Sequence, residues 1–161
     1  MWFAHRGAWW QNDSVDEPIP PLDPRFCGFR LRVGPSPVHR WGVFALEPIP
    51  PGRKVIEYTG EWVQQLEWRR YVHRDILYLF EYDDEWMVDG ATGGSGAEYI
   101  NHCCDPSLAV RKMRRHLLFF SKRAIAEGEE LSLDYRLAPD TQRIPCRCGS
   151  PRCRGFLNRL A

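Results

Sequence analysis

Nowhere in these 161 residues is there anything near the roughly 18 consecutive apolar residues that a membrane-spanning helix requires. Net charge is almost absent too: 22 Lys and Arg stand against 21 Asp and Glu, a formal +1. That removes any global electrostatic case for direct nucleic-acid binding or membrane binding. The opening Met1-Trp-Phe-Ala-His5-Arg6 lacks an apolar signal core, so the expectation is a protein that is not exported. The even cysteine spacing of a disulfide scaffold is also missing. Three of the six cysteines crowd into the eight residues from Cys146 to Cys153. In a leaderless chain such crowding points to a reducing compartment and a metal.

What is present describes one folded domain. Hydrophobic content is 43% and charged content 27%, enough for a core without staples. Residues 1–26 differ from the rest, with Trp2, Trp9, Trp10 and then Pro18, Pro20, Pro21 and Pro24. They read as an extended arm whose tryptophans pack onto the domain. From Arg30 onward short strand signals dominate. Trp41–Leu46, Lys54–Tyr58, Ile76–Tyr82, Trp86–Asp89, Leu117–Ser121 and Leu131–Tyr135 are rich in branched and aromatic residues. Turn chemistry separates them at Pro51-Gly52, Gly93-Gly94 and Glu127-Gly128. One helix is expected over Gln64–His73, where Val63, Leu66 and Tyr71 can share a face. Ile49-x-x-Gly52-x-x-Val55 is echoed by Ile125-x-x-Gly128-x-x-Leu131, too briefly to make a repeat. Glu81, Asp83, Asp84, Glu85 and Asp89 form an acidic stretch suited to a basic polypeptide. Arg111, Lys112, Arg114 and Arg115 form a basic one, read as a solvated turn.

The sharpest chemical signal is Cys146-Arg-Cys148-Gly-Ser-Pro-Arg-Cys153. Thiolates suit the closed tetrahedron of a structural zinc site, and this spacing lets three ligands share one tight loop. A fourth ligand must come from elsewhere: Cys27, Cys103, Cys104 or a histidine. Such sites bind with apparent energies of roughly 10–16 kcal/mol, ample to hold a tail that could not fold alone.

Tyr99-Ile-Asn101-His102-Cys103-Cys104-Asp-Pro106-Ser107 resembles the Asn-His-Ser-Cys-x-Pro-Asn motif of SET-domain lysine methyltransferases. Glu130-Leu-Ser-Leu-Asp134-Tyr135 resembles that family's Glu-Leu-x-x-Asp-Tyr signature. Trp41-Gly42-Val43-Phe44-Ala45, Glu57-Tyr58-Thr-Gly60-Glu61, Tyr78-Leu-Phe80 and the C-terminal cysteines resemble further family segments, in family order over about residues 30–157. The resemblance implies a mostly β fold with few short helices: small curved sheets, a C-terminal pseudoknot and a zinc-bound post-SET loop. The implied boundaries are an arm at 1–26, a catalytic domain at 27–138 and a zinc segment at 139–161.

By the same resemblance, methyl groups pass from S-adenosylmethionine to a lysine ε-amine of a protein, with a histone-like basic tail as the expected substrate. Tyr135 is the implied catalytic residue. Tyr58 and Tyr78 are the implied channel walls. Trp41, Gly42, Tyr78, Asn101, His102 and Phe156 are the implied cofactor contacts. Cys104 joins Cys146, Cys148 and Cys153 as the fourth zinc ligand, Cys103 stands where Ser is frequent, and Cys27 reads as a packed thiol. Four departures stand out: Arg40 in place of a glycine, Ser107 in place of the final Asn, Glu98 in place of a frequent Arg, and Leu133 in place of an aromatic two residues before the tyrosine. An aliphatic Leu133 implies room for more than one methyl. A silent zinc-stabilised module that binds basic tails is the alternative. The compact outline suggests a bacterial, cytoplasmic member, or a nuclear one if eukaryotic.

Overall fold

The computed structural model describes residues 18–71, 74, 76–139 and 142–160. The arm tryptophans Trp2, Trp9 and Trp10 lie outside the described residues. Ten short strands and three 3-10 turns make up the regular structure, with no α-helix among the described residues. The strands form small sheets rather than one large one. Strands β1 (Leu31–Pro35) and β2 (Trp41–Ala45) make an antiparallel hairpin. Strand β3 (Lys54–Tyr58) pairs with β9 (His116–Ser121), which pairs with β8 (Leu108–Met113). Strand β6 (Trp86–Asp89) lies between β4 (Glu61–Gln64) and β5 (Leu79–Glu81). The remaining pair, β7 (Asn101–His102) with β10 (Ser132–Leu133), is parallel.

The core lies where these sheets face one another. Val43, Val55, Ile56, Phe119, Ile125 and Leu131 are fully buried there, each supplied by a strand or a turn beside one. The seven-residue echo has a structural meaning. Ile49 and Ile125 exchange backbone hydrogen bonds, both 2.9 Å. Each is followed by a turn whose glycine, Gly52 at φ 74° and Gly128 at φ 82°, takes the left-handed conformation. Nothing lies within 4 Å of a side chain at either glycine, so the backbone angle is what requires it.

Several expectations change in detail. The helix expected over Gln64–His73 is a 3-10 stretch, Gln65–Arg70, and Leu66 is exposed rather than inward. Val63 already belongs to β4, and Trp68 and Tyr71 supply the apolar contact instead. Within the acidic stretch, Asp89 is completely buried and paired with Arg74 at 2.6 Å. Asp83 accepts from the N–H groups of Glu85 and Trp86 and so shapes its turn. The basic stretch is the β8–β9 hairpin tip, and its Arg115 guanidinium lies 4.2 Å from the centre of the Trp62 ring. The last residues of the arm dock on the domain. Leu22 packs against the core, and the Asp23 N–H donates to the Ser95 carbonyl at 2.9 Å.

Candidate active site

The parallel β7–β10 pair sets Leu133 beside His102 and carries Asp134 and Tyr135 against the Asn-His segment. Parallel pairing of segments this far apart in sequence cannot be closed by a tight hairpin. It is the local expression of the pseudoknot the resemblance implied. An open cavity lies against it, lined on one side by Val38, His39, Arg40 and Trp41 and on the other by Leu137, Ile144, Pro145, Arg147 and Leu157. Ile76, Leu77, Tyr78, Glu98, Tyr99, Asn101, His102 and Tyr135 line its remaining wall.

Tyr135 is locked in place. Its hydroxyl donates to the Ile100 carbonyl at 2.9 Å, and its N–H donates to His102 Nδ1 at 3.1 Å. Burial raises its phenol well above the usual tyrosine range, so the hydroxyl keeps its proton. That one proton is committed to Ile100, and the oxygen's remaining capacity is to accept. The His102 ring meets the Tyr135 ring edge-on at 5.4 Å. Burial holds His102 down at about 4, so its imidazole is neutral. Because Nδ1 accepts, the ring proton sits on Nε2, which faces Cys104 Sγ at 3.3 Å. Both ring nitrogens are engaged, leaving no free position for a substrate proton.

Asn101 works as a clamp. Its amide nitrogen faces the Trp41 carbonyl at 2.8 Å, Glu130 Oε1 at 2.8 Å and Ser36 Oγ at 3.0 Å, tying β7 to the β1–β2 hairpin. Gly42 belongs to the same arrangement. A Cβ there would come 2.4 Å from Glu130 Oε1, so the glycine makes room for that carboxylate. Arg40, which stands where the resemblance implies another glycine, has φ 37° and keeps the left-handed backbone that a glycine would favour. Its carbonyl accepts from Ser36 N–H at 2.9 Å and closes the hairpin.

The other residues named from the sequence fall at different depths. Trp41, Tyr78, Asn101, His102 and Tyr135 line the cavity together, whereas Gly42, Tyr58 and Phe156 are not in its wall. Tyr58 is buried against Phe80 and Phe119, and its hydroxyl donates to the Tyr78 carbonyl at 2.5 Å. It therefore holds Tyr78 from behind. Phe156 carries the Arg143 guanidinium over its ring at 5.2 Å, while its neighbour Leu157 faces the cavity. Leu133 is buried in the core. Cys27 is half-buried, with burial pushing its thiol up to about 11.

The cysteine cluster passes a geometric test for zinc. The sulfurs of Cys104, Cys146, Cys148 and Cys153 all lie within 4.8 Å of one another, with Cys104 3.8 Å from Cys146 and 3.9 Å from Cys153. A tetrahedron with Zn–S bonds of about 2.3 Å has edges of roughly 3.8 Å. Cys103 is not one of the four. Burial raises the thiols of Cys104 and Cys146. At Cys148 the backbone N–H groups of Cys104 and Ser150, with the thiols of Cys146 and Cys153, outweigh that and bring it down to about 6. The N–H of Arg154 donates to Cys104 Sγ and that of Gly155 to Cys153 Sγ, both at 3.4 Å.

Sequence reasoning missed the residues that seat this tail. Arg154 grips Asp134 with two hydrogen bonds, 2.6 and 3.0 Å, and donates to the carbonyls of Leu157 and Asn158 at 2.7 Å each. Asn158, fully buried, donates to the Ala138 carbonyl at 2.9 Å and accepts from Ile144 N–H at 3.0 Å. Only the adjacency of Arg154 to a zinc-binding cysteine could have drawn attention to it.

Small sheets, a parallel crossing beneath an Asn-His segment and a four-thiol tail together define a class of fold. The family model described as the SET domain matches residues 40–136, and the chain belongs to that family. Among curated proteins it is similar to a histone-lysine N-methyltransferase, H3 lysine-4 specific, of Eremothecium gossypii. The two are 39% identical over 136 residues, 76% of this chain and 14% of that protein. It is also similar to histone-lysine N-methyltransferase SETD1A of Homo sapiens, 37% identical over 144 residues, 83% of this chain and 8% of that one. The chain thus spans only a small part of the length of these relatives. Among solved structures, the crystal structure of KRYPTONITE in complex with mCHG DNA and SAH superposes with a TM-score of 0.70. It is 30% identical, covering 81% of this chain and 29% of that one. These relatives come from fungi and mammals, and a bacterial, cytoplasmic placement finds no support among them.

Proposed function

We propose that this chain transfers methyl groups from S-adenosylmethionine to a lysine ε-amine on a protein, with a histone H3 tail as the substrate and the nucleus as the place of action. The observation that carries this is Tyr135, its hydroxyl held by the Ile100 carbonyl and its N–H by His102, in the wall of a cavity that also presents Tyr78, Trp41 and Asn101. Similarity to H3 lysine-4 methyltransferases and to a structure holding SAH supports it.

When bound, the methyl donor supplies an activated sulfonium methyl. The residues present fit such a molecule. Ile144, Pro145 and Leu157 offer apolar surface for a base, and Arg40 and Arg147 bring positive charge for a carboxylate end. The remaining tasks belong to this chain. A lysine ammonium must lose its proton, which at pH 7 costs about 4–5 kcal/mol in water. Removal of the amine from water lowers that cost by disfavouring the charged form. Tyr135, whose own proton is committed to Ile100, accepts a hydrogen bond from the amine and so orients its lone pair. Asn101 and His102 act by position: one clamps the β1–β2 hairpin, the other holds the Tyr135 backbone. Cys104, Cys146, Cys148 and Cys153 would hold a zinc ion, which would seat the tail against this wall.

The test is transfer of labelled methyl to histones and basic peptides. Tyr135→Phe is expected to lower kcat by about 100-fold while leaving donor binding intact. Unchanged activity in that variant sinks the mechanism. Measurable donor binding by the wild type without transfer to any substrate would instead favour a silent module that binds basic tails.

A further inference from the structure

Glu98 stands out in a cavity whose wall is otherwise mostly apolar or aromatic. It belongs to the 3-10 turn Ala97–Tyr99 and lines the cavity beside Tyr78, Tyr99 and Tyr135. The fold makes room for its carboxylate. A Cβ on Gly94 would come 2.4 Å from Glu98 Oε1, and one on Gly90 would come 2.9 Å from Glu98 Cβ. Gly96, in the left-handed conformation at φ 98°, turns its N–H onto Glu98 Oε2 at 2.9 Å. Burial dominates the setting of its carboxyl and raises it to about 7. A partly buried carboxylate without a counter-charge is unfavourable by itself. Here glycines and a backbone N–H hold it at the cavity wall. The rings next to it complete the picture. Tyr78 and Tyr99 meet edge-to-face at 5.5 Å and 72°. Aromatic faces beside a carboxylate are the chemistry that recognises an organic cation.

We propose that Glu98 is the counter-charge for an organic cation, ammonium or sulfonium, that enters the cavity beside Tyr78 and Tyr99. This rests on the proposed methyl transfer, which supplies a cation of each kind. Glu98 is a recognition residue: it fixes where positive charge rests. Tyr135 orients the reacting amine.

The experiment compares wild type with the isosteric Glu98→Gln by calorimetric titration of S-adenosylmethionine, which carries the sulfonium, and of S-adenosylhomocysteine, which lacks it. KM for a lysine peptide is measured in parallel. A loss of about ten-fold in affinity for the first, with the second unchanged, identifies the sulfonium as the recognised cation. A rise of similar size in KM, with both affinities unchanged, identifies the lysine ammonium. Either result supports the inference. If all three quantities stay within two-fold in an active wild type, the inference is overturned and the proposed activity stands. If the wild type binds neither compound and transfers nothing, both fall.

Discussion

The two sides of the cavity are built on different physical principles. One side, β1–β2 with β7–β10, consists of hydrogen-bonded strands backed by Val43, Leu131 and Leu133 in the core. The other, from residue 142 to 160, contains no paired strand; an isolated bridge from Asn158 joins it to Leu137, and another, Pro145–Phe156, closes it on itself. Ile144 is the one hydrophobic residue of that segment that is buried. Too little apolar area is removed from water there to order such a length of chain. Four thiols, the Arg154–Asp134 ion pair and the buried Asn158 amide take over. The sheet side should therefore fold with the core, whereas the tail side should be removable without unfolding it.

The largest effect expected from this contrast comes with the metal. Chelation, or Cys148→Ser, should release the tail, since a structural zinc contributes on the order of 10 kcal/mol. Methyl transfer and donor binding should then collapse while the main calorimetric transition persists. Full activity after verified zinc loss would show that the two sides are not separable in this way. On the sheet side, Asn101→Ala should cost about 3 kcal/mol of global stability, because the Glu130 carboxylate and Trp41 carbonyl lose their shared donor. Denaturant melts should show one shifted transition rather than a separate tail event.

A smaller effect concerns charge at the junction of the two sides. Burial raises Glu98 to about 7, above the ordinary glutamate value. The folded state then holds its proton more tightly than the unfolded one, so stability falls as pH rises from about 4.5 to 7. Relative to wild type, Glu98→Gln should gain on the order of 2 kcal/mol across that window, after allowance for solvent screening. Thermal melts of the pair at pH 4.5 and 7.5 check it, and a constant difference would contradict it. The smallest effect belongs to Arg40. Arg40→Gly should relieve the left-handed strain, raising stability by up to about 1 kcal/mol. Any accompanying loss of donor affinity would measure what the arginine side chain adds at the cavity wall.

Strands with a strong local signature were legible. Lys54–Tyr58 and Trp86–Asp89 appear with the expected limits, because branched and aromatic residues between turn residues suit a half-buried pleat. Strand β4 escaped notice, since Val63 fits a helical spacing with Leu66 and Tyr71 and Gln64 fell inside the expected helix. Strand β8 carries Arg111 and Lys112 on its exposed half, so charge masked its pattern. Among site residues, the cysteines and the Asn101-His102 and Asp134-Tyr135 segments declared themselves by type and order. The working partners Ser36, Glu130, Arg154 and Asn158 did not, because a lone polar residue carries no local mark of the distant carbonyl or carboxylate it will meet.

By itself, the sequence determined that this protein has a soft-metal tail, a mostly β body and the ordered motifs of a SET domain. These properties reside in residue type and near-neighbour spacing, and zinc affinity and strand propensity respond to little else. Only the tertiary structure decided which side chains share the cavity. It put Leu157 in its wall and Phe156 outside, moved Tyr58 behind Tyr78, spent the Asn101 amide on Trp41, and set the Glu98 carboxylate in the wall on the Gly96 N–H. Those outcomes depend on which segments cross in the parallel β7–β10 pairing and on which oxygen a donor meets tens of residues away. Both are set by packing across the whole domain.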